Sequence, residues 1–308
     1  MKVLVFGSNG LVGSGIRRYS QLYNNTKNYN FYFSTRKDTN LFSYDETNKL
    51  ISELKPDVLI NAAAKVGGIV ANNTNRTDFI IDNVKINLNI LEASKQIKPF
   101  TIINLGSSCI YPVDAENPIS ESSIMTGKLE PTNSPYAQAK LMSIEMANSI
   151  SQEYGHKVMN LMPTNLYGPN DNFDRLNSHV IPGLIGRMFD AKKVNSDTFE
   201  IWGSGTALRE FLYVDDLADA IFYLLASEHN EPLLNVGSGE EVSILQLAEK
   251  IRDLIEFKGD FKFDLTQPDG NNRKLLDLSK IKSIGWKSKT NLDAGLVKTI
   301  AWYRENIL

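Results

Sequence analysis

The stretch "SPYAQAKL" sets Tyr136 and Lys140 four residues apart at the start of a predicted helix, so both side chains leave one face, a turn from each other. An ammonium near a phenol favours the phenolate and makes the tyrosine a usable proton donor or acceptor near neutrality. Upstream, "LGSSCIYP" carries Ser107 and, two residues on, Cys109, the single cysteine of the chain. A serine hydroxyl, a phenol and a lysine converging beside a nicotinamide can polarise a ketone and protonate its oxygen as hydride reaches carbon. Cys109 has two readings at this level: an inert packed thiol, or a thiol placed to move protons. If strand geometry persists through this stretch, Ser107 and Cys109 face the same side and the thiol reaches the same ligand.

These residues need a scaffold that delivers them to one edge. Apolar runs at 2–7, 30–35, 57–64, 100–107 and 157–163 alternate with helical patterns at Leu11–Gln21, Asp78–Lys95 and Ser134–Tyr154. Continuous rather than alternating apolar strands imply a parallel sheet buried on both faces, and repeated βαβ units imply a doubly wound α/β fold of Rossmann type. Ser107 then falls at the carboxyl end of the fourth strand, the edge at which such sheets bind ligands. Beyond Gly168 the pattern changes to a loop, an amphipathic helix over 179–192, a strand and helix over 209–225 with Asp215 as its cap, a short strand in 233–239, and a final helix over 292–306. We expect residues 1–166 and 207–237 to form the dinucleotide domain, and 167–206 and 238–308 a smaller, discontinuous α/β substrate lobe.

"FGSNGLVGSG" spaces Gly7, Gly10 and Gly13 between the first strand and first helix, where a tight turn lets backbone approach a pyrophosphate at a helix N-terminus. After the second strand, "FSTRKD" offers Thr35, Arg36 and Lys37 with no carboxylate before Asp38, which favours the extra phosphate of NADP over the free ribose of NAD. The net charge of -3 gives no general attraction for nucleic acid, so phosphates must be met by local cations and N–H groups. One cysteine makes no internal disulfide, and the start "MKVLVFGSNG" is too briefly apolar for a signal or membrane segment. A cytoplasmic protein, bound neither to membrane nor to nucleic acid and without a metal, is the expectation. Asparagine is unusually frequent, which reads as compositional bias.

Beyond the glycine turn and Tyr136/Lys140, the signatures "AAAKVGGIVAN", "SSCIYP", "PTNLYGPNDNF", "HVIP", "WGSGTALREFLYVDDLADA", "NVGSGEEVSI" and "PDGNNRKLLD" run through nearly the whole chain. Together they resemble the extended short-chain dehydrogenase/reductase superfamily and, within it, the GDP-L-fucose synthase family. The resemblance implies NADP(H) as cofactor, GDP-4-keto-6-deoxy-D-mannose as substrate, 3,5-epimerisation followed by 4-reduction, and a homodimer. It departs from the family at Asn9, where many members carry a basic residue, and at Asn170, where many carry histidine.

The catalytic set implied is Ser107, Cys109, Tyr136, Lys140 and His179. A C4 ketone acidifies the hydrogens at C3 and C5, and the resemblance suggests Cys109 as base and His179 as acid, with the direction open. Taken alone, His179 reads rather as a helix N-terminal residue satisfied by backbone, and it is the resemblance that favours the acid; His156 and His229 read as structural. Implied cofactor contacts come from Gly7, Ser8, Asn9, Gly10, Leu11, Val12 and Gly13, from Arg36, from Asn61, Ala62 and Ala63, and from Lys140, Pro163, Asn165, Leu166 and His179. Substrate contacts fall to Ser107, Ser108, Cys109, Tyr136 and Asn165, and to Arg187, Trp202, Arg209 and Lys274, with Arg209 the strongest because an arginine fork suits a diphosphate. Three other readings compete: a 4,6-dehydratase, opposed by Ser108 and Cys109 standing where such enzymes carry Asp and Glu; a non-epimerising 4-reductase; and an NADP-binding regulator without turnover.

Overall fold

The computed structural model describes residues 1–22, 28–98, 100–175, 177–267 and 269–308, so Pro268, at the head of one signature, lies outside the described residues. The first half runs β1 (Lys2–Phe6), α1 (Leu11–Leu22), β2 (Asn30–Phe33), α2 (Tyr44–Leu54), β3 (Val58–Asn61), α3 (Ile69–Thr74), α4 (Arg76–Ser94), β4 (Thr101–Leu105), α5 (Ser134–Tyr154) and β5 (Lys157–Pro163). The second half runs β6 (Asn165–Tyr167), α6 (Val180–Lys193), β7 (Thr198–Trp202), β8 (Leu208–Tyr213), α7 (Val214–Ala226), β9 (Leu233–Val236), β10 (Glu241–Ser243) and α8 (Ile244–Ile255). It closes with β11 (Asp260–Asp264), β12 (Arg273–Lys274), α9 (Ser279–Ile284) and α10 (Leu292–Asn306).

Six strands form the central sheet in the order β2-β1-β3-β4-β5-β9, every neighbouring pair parallel. Alternate side chains enter different cores. Val3, Val5, Ile60 and Ile103 join the cluster around α1 and α7, while Leu4, Phe6, Leu59 and Ile102 join the cluster around α4 and α5. A third core gathers Tyr167, Leu184, Ile185, Phe211, Tyr213, Leu247, Ile251, Leu296 and Ile300, around α6, α8, α10 and β8. Strand β8 is the hub of the smaller assembly, pairing with β10, β12 and β6.

Three expectations change. Helix α2 has no counterpart in the sequence reading; it begins at Ser43, whose hydroxyl accepts from Glu46 N–H at 3.3 Å. Asp215 does not cap α7. The cap position falls two residues earlier, at Tyr213, which makes no side-chain cap bond, and Asp215 instead accepts from Arg18 of α1 at 2.7 Å. Asparagine is not mere bias either. Asn61, Asn83, Asn87, Asn104 and Asn160 are buried, with Asn61 donating to Asn87 Oδ1 at 2.8 Å and accepting from Ala63 N–H at 3.1 Å. Asn83 takes Lys65 N–H at 3.0 Å and returns its amide to Lys65 O at 3.0 Å. These amides satisfy loop backbone that has left the sheet, where water cannot reach.

Candidate active site

The sheet order reverses between β1 and β3, and there the chain leaving β1 meets the chain leaving β3. Gly7 has φ +72°, and a Cβ on it would stand 2.6 Å from Ala62 O; a Cβ on Gly13 would overlap Gly7 O and Ser8 Cα. Neither position admits a side chain, so bare backbone lies at the switch point in front of α1. Ser8 is pinned beneath by its hydroxyl donating to Ser34 O at 2.7 Å, while Asn9 and Gly10 are exposed and Leu11 and Val12 half-buried. Asn61 ends β3, and Ala62 N–H donates to Phe6 O at 3.1 Å. At the end of β2 the carboxylate of Asp38 folds back onto Thr35 N–H and Thr35 Oγ1, both at 2.7 Å, leaving Arg36 and Lys37 exposed. A carboxylate occupied by its own turn is a poor ribose ligand, and the adjacent cations suit a phosphate. The bare backbone at Gly7 and Gly13 and the exposed cations after β2 are chemically suited to NADP(H), for which Arg36, Asn61, Ala62 and Ala63 are the expected contacts.

The residues expected to react lie at the end of β4 and the start of α5. Strand geometry does not persist past Leu105: residues Ser108–Ile110 form a 3-10 turn, with Ser107 as its cap accepting from Cys109 N–H at 3.2 Å. Ser107 and Cys109 are thus brought together by a turn rather than by the pleat. Ser107 is a polar neighbour of the Tyr136 hydroxyl and acts to lower its pKa. Lys140 is buried, donates to Leu105 O at 2.7 Å and lies 5.8 Å from the Tyr136 ring centroid.

The expected depression of the phenol by Lys140 is absent here. Burial pushes Tyr136 well above the usual phenol range, the neighbouring Cys109 adds to it, and only Ser107 opposes. Burial also lowers Lys140 to about 8, leaving it mostly protonated at neutral pH. Ser108 is buried behind the turn.

His179 sits just before α6 and makes no side-chain cap bond. Burial pushes its imidazole below the usual range, which favours the neutral ring. Its segment is docked through glycines: Gly68 N–H donates to Asn177 O at 3.1 Å, and a Cβ on Gly68 would overlap Ser178 O. A Cβ on Gly67 would meet Phe79, whose ring packs edge-on to Tyr136 at 6.4 Å. The signature at 62–72 is therefore the wedge between the His179 segment and Tyr136. His156 is structural, accepting from Phe100 N–H at 3.2 Å.

The remaining polar groups arrive with β5, β6, β8 and β12. Pro163 ends β5, Leu166 packs on the main core, and the Asn165 amide donates to Glu210 O at 2.8 Å. Arg209 donates to Leu208 O at 2.8 Å and Asp269 O at 3.0 Å, with Lys274 beside it in register and buried. Arg187 lies apart from this group, its guanidinium 4.3 Å from the Trp202 ring and donating to Glu200 O at 3.0 Å.

Sequence reasoning missed Glu210, which is fully buried. Its carboxylate accepts from Gly239 N–H at 2.8 Å and Leu276 N–H at 3.1 Å, and a Cβ on Gly237 would overlap it. Three signatures, "LREF", "NVGSG" and "RKLLD", are thereby tied to one carboxylate. Asn170, in place of the family's histidine, adopts φ +66° and accepts from Arg18 at 3.1 Å, a conformation asparagine tolerates.

A parallel sheet with bare glycine backbone at its switch point and a Ser–Tyr–Lys group at the β4 edge defines a dinucleotide-dependent oxidoreductase acting at a carbonyl. Residues 3–237 match the model of the NAD dependent epimerase/dehydratase family, and the chain belongs to that family. It is 45% identical over 307 residues to a putative GDP-L-fucose synthase 2 of Arabidopsis thaliana, covering 100% of this chain and 93% of the relative. It is 42% identical to the GDP-L-fucose synthase of Escherichia coli strain K12, covering 99% and 97%. Among solved structures, a GDP-L-fucose synthetase from Naegleria fowleri bound to NADP superposes with a TM-score of 0.88 at 28% identity, covering 99% and 94%.

Proposed function

We propose that this chain is an NADPH-dependent enzyme converting GDP-4-keto-6-deoxy-D-mannose to GDP-L-fucose by epimerisation at C3 and C5 and reduction at C4. The observation that carries the reading is the turn after β4, in which Ser107 Oγ accepts from Cys109 N–H just beyond Leu105, whose carbonyl Lys140 of α5 holds at 2.7 Å. NADPH, when bound, supplies hydride to C4. Ser107 and Tyr136 hold the ketone oxygen, and during epimerisation the same pair holds the enolate oxygen that receives the electrons of the broken C–H bond. Tyr136 gives its proton to the C4 oxygen, with Lys140 orienting it and keeping positive charge beneath it.

Cys109 and His179 exchange protons with C3 and C5 from opposite faces. A neutral His179 acts as acid only after collecting a proton, and the negative diphosphate favours that step once the substrate is held. Arg209 and Lys274 meet the diphosphate, while Arg187 stacked on Trp202 takes the nucleotide end. The working form in this reading is a cytoplasmic homodimer. Its interface uses α4 and α5, where Ile81, Leu88 and Met142 remain 43%, 43% and 40% exposed. The boundaries set out above, 1–166 with 207–237 and 167–206 with 238–308, belong to the same proposal.

Purified protein mixed with the keto sugar and NADPH tests the function: nicotinamide absorbance falls, and NMR of the product identifies GDP-L-fucose. A sugar reduced at C4 without inversion makes the chain a simple reductase. NADPH bound but never oxidised makes it a regulator.

A further inference from the structure

The Cys109 backbone N–H is held by Ser107, and its thiol has a polar neighbour of its own. The carboxamide of Asn133 donates to Cys109 Sγ at 3.7 Å, and Asn133 Oδ1 is buried with no protein donor. Asn133 occupies the cap position of α5, where an asparagine oxygen would ordinarily take a first-turn N–H, yet it makes no such bond. Its backbone is fixed from the other side. Glu130 Oε2 accepts from Asn133 N–H at 3.1 Å, Thr132 N–H at 3.1 Å and Thr132 Oγ1 at 2.5 Å. The acidic clip thus fixes the cap residue and releases its side chain from capping, and that side chain is turned to the sulfur.

We propose that Asn133 is a positioning residue for Cys109: its amide N–H orients the sulfur and favours the thiolate, and its Oδ1 accepts a hydroxyl of the bound sugar. The inference rests on the reading above, in which the thiol moves a proton at a carbon next to the ketone. A neutral amide donor suits this position. The charged and titratable groups that sense Cys109 are Tyr136 from α5 and Arg209 from β8, and Arg209 also faces Asp269 and Glu130. A cation added beside them would hold the thiolate too tightly to act as a base, whereas an N–H donor to sulfur shifts its proton affinity only modestly. The buried Oδ1 would lose a hydrogen bond on folding unless a ligand donor meets it, and a sugar hydroxyl is the donor that substrate brings.

Cys109 being the only cysteine, alkylation by iodoacetamide reports on this thiol alone. We would record alkylation rate against pH for the parent, Asn133→Ala and Asn133→Asp, and in parallel follow deuterium uptake from solvent at C3 and C5 of the keto sugar. In Asn133→Ala the alkylation midpoint should rise by about half a unit to one unit, so that the rate below the midpoint falls about three- to tenfold. Asn133→Asp, with a negative charge at the same place, should raise it further. KM for the keto sugar should rise in both through loss of the Oδ1 contact or its charge balance, while NADPH affinity stays within about twofold, which separates positioning from general damage to α5.

Midpoints equal to the parent in both variants would overturn the inference. If one variant fails to fold, the other carries the test alone. Cys109→Ser distinguishes the two levels: parent-rate deuterium uptake in that variant removes the thiol from the reaction altogether, whereas lost uptake with unmoved midpoints in the Asn133 variants removes only Asn133.

Discussion

The cofactor cradle and the substrate cleft are built by opposite means. The cradle is backbone: Gly7 and Gly13 have no room for a side chain, Gly13 against Gly7 and Ser8 of its own turn and Gly7 against Ala62 and Ala63 beyond β3. The cleft is side chains delivered from β4, α5, β8, β12 and the segment before α6, far apart in sequence. One buried carboxylate, Glu210 of β8, bonds the backbone of two distant segments, at Gly239 before β10 and at Leu276 after β12. A site made of close-packed backbone is set by chain geometry; a site made of distant side chains stands or falls with the struts between them. Damage to the first should therefore appear in cofactor affinity, and damage to the second in sugar affinity.

The sharpest way to break that contrast is Gly13→Ala. Its methyl group displaces Gly7 O and Ser8 Cα, and NADPH affinity should fall about 100-fold by fluorescence titration, the turn having opened. Glu210→Gln attacks the other half. An amide cannot accept at both oxygens, so one of the Gly239 and Leu276 N–H groups loses its partner at about 1–3 kcal/mol. KM for the keto sugar should rise about tenfold with NADPH affinity unchanged within about twofold; an equal loss of both would mean that the two regions are not separable.

Arg36→Ala refines the account of the cradle, because a lost charge-assisted contact should cost NADPH about five- to tenfold while leaving NADH binding alone. The smallest expected effect is in pH. Lys140, lowered to about 8 by burial, holds its proton below that value and loses it above. The reduction rate should therefore drop to about half its neutral-pH value near pH 8, and a flat profile through pH 9 would remove the ammonium from the step.

The same division explains what could be read without coordinates. Strand β5 (Lys157–Pro163) and helices α5 and α10 are bounded by glycine, proline and capping asparagine, and their ends follow from those residues. Ser107 with Cys109, and Tyr136 with Lys140, are close in sequence, so their chemistry could be inferred pairwise. Helix α2 carried a usable signal, Ser43 followed by Glu46 three residues on, beneath a polar surface that hides its apolar face. Glu210 carried none, since its partners lie at 239 and 276 and a carboxylate in a strand says nothing about them. Asn83 and Asn87 sit a turn apart like any solvated pair on a helix, and only the loop at 61–65 packed against them turns them into struts. Asn133 likewise reads as an ordinary helix cap until the sulfur beside it is seen.

In the proposed reaction one pocket performs two kinds of chemistry, with Cys109 needed for proton exchange and not for hydride acceptance. Its most direct test is to run parent and Cys109→Ser with the keto sugar and NADPH in D2O and read deuterium at C3 and C5 of the product by NMR. The parent should yield GDP-L-fucose deuterated at both carbons. Cys109→Ser should still oxidise NADPH but give product with deuterium lost from at least one of them; a Cys109→Ser product indistinguishable from the parent's, formed at the parent rate, would contradict the role of the thiol.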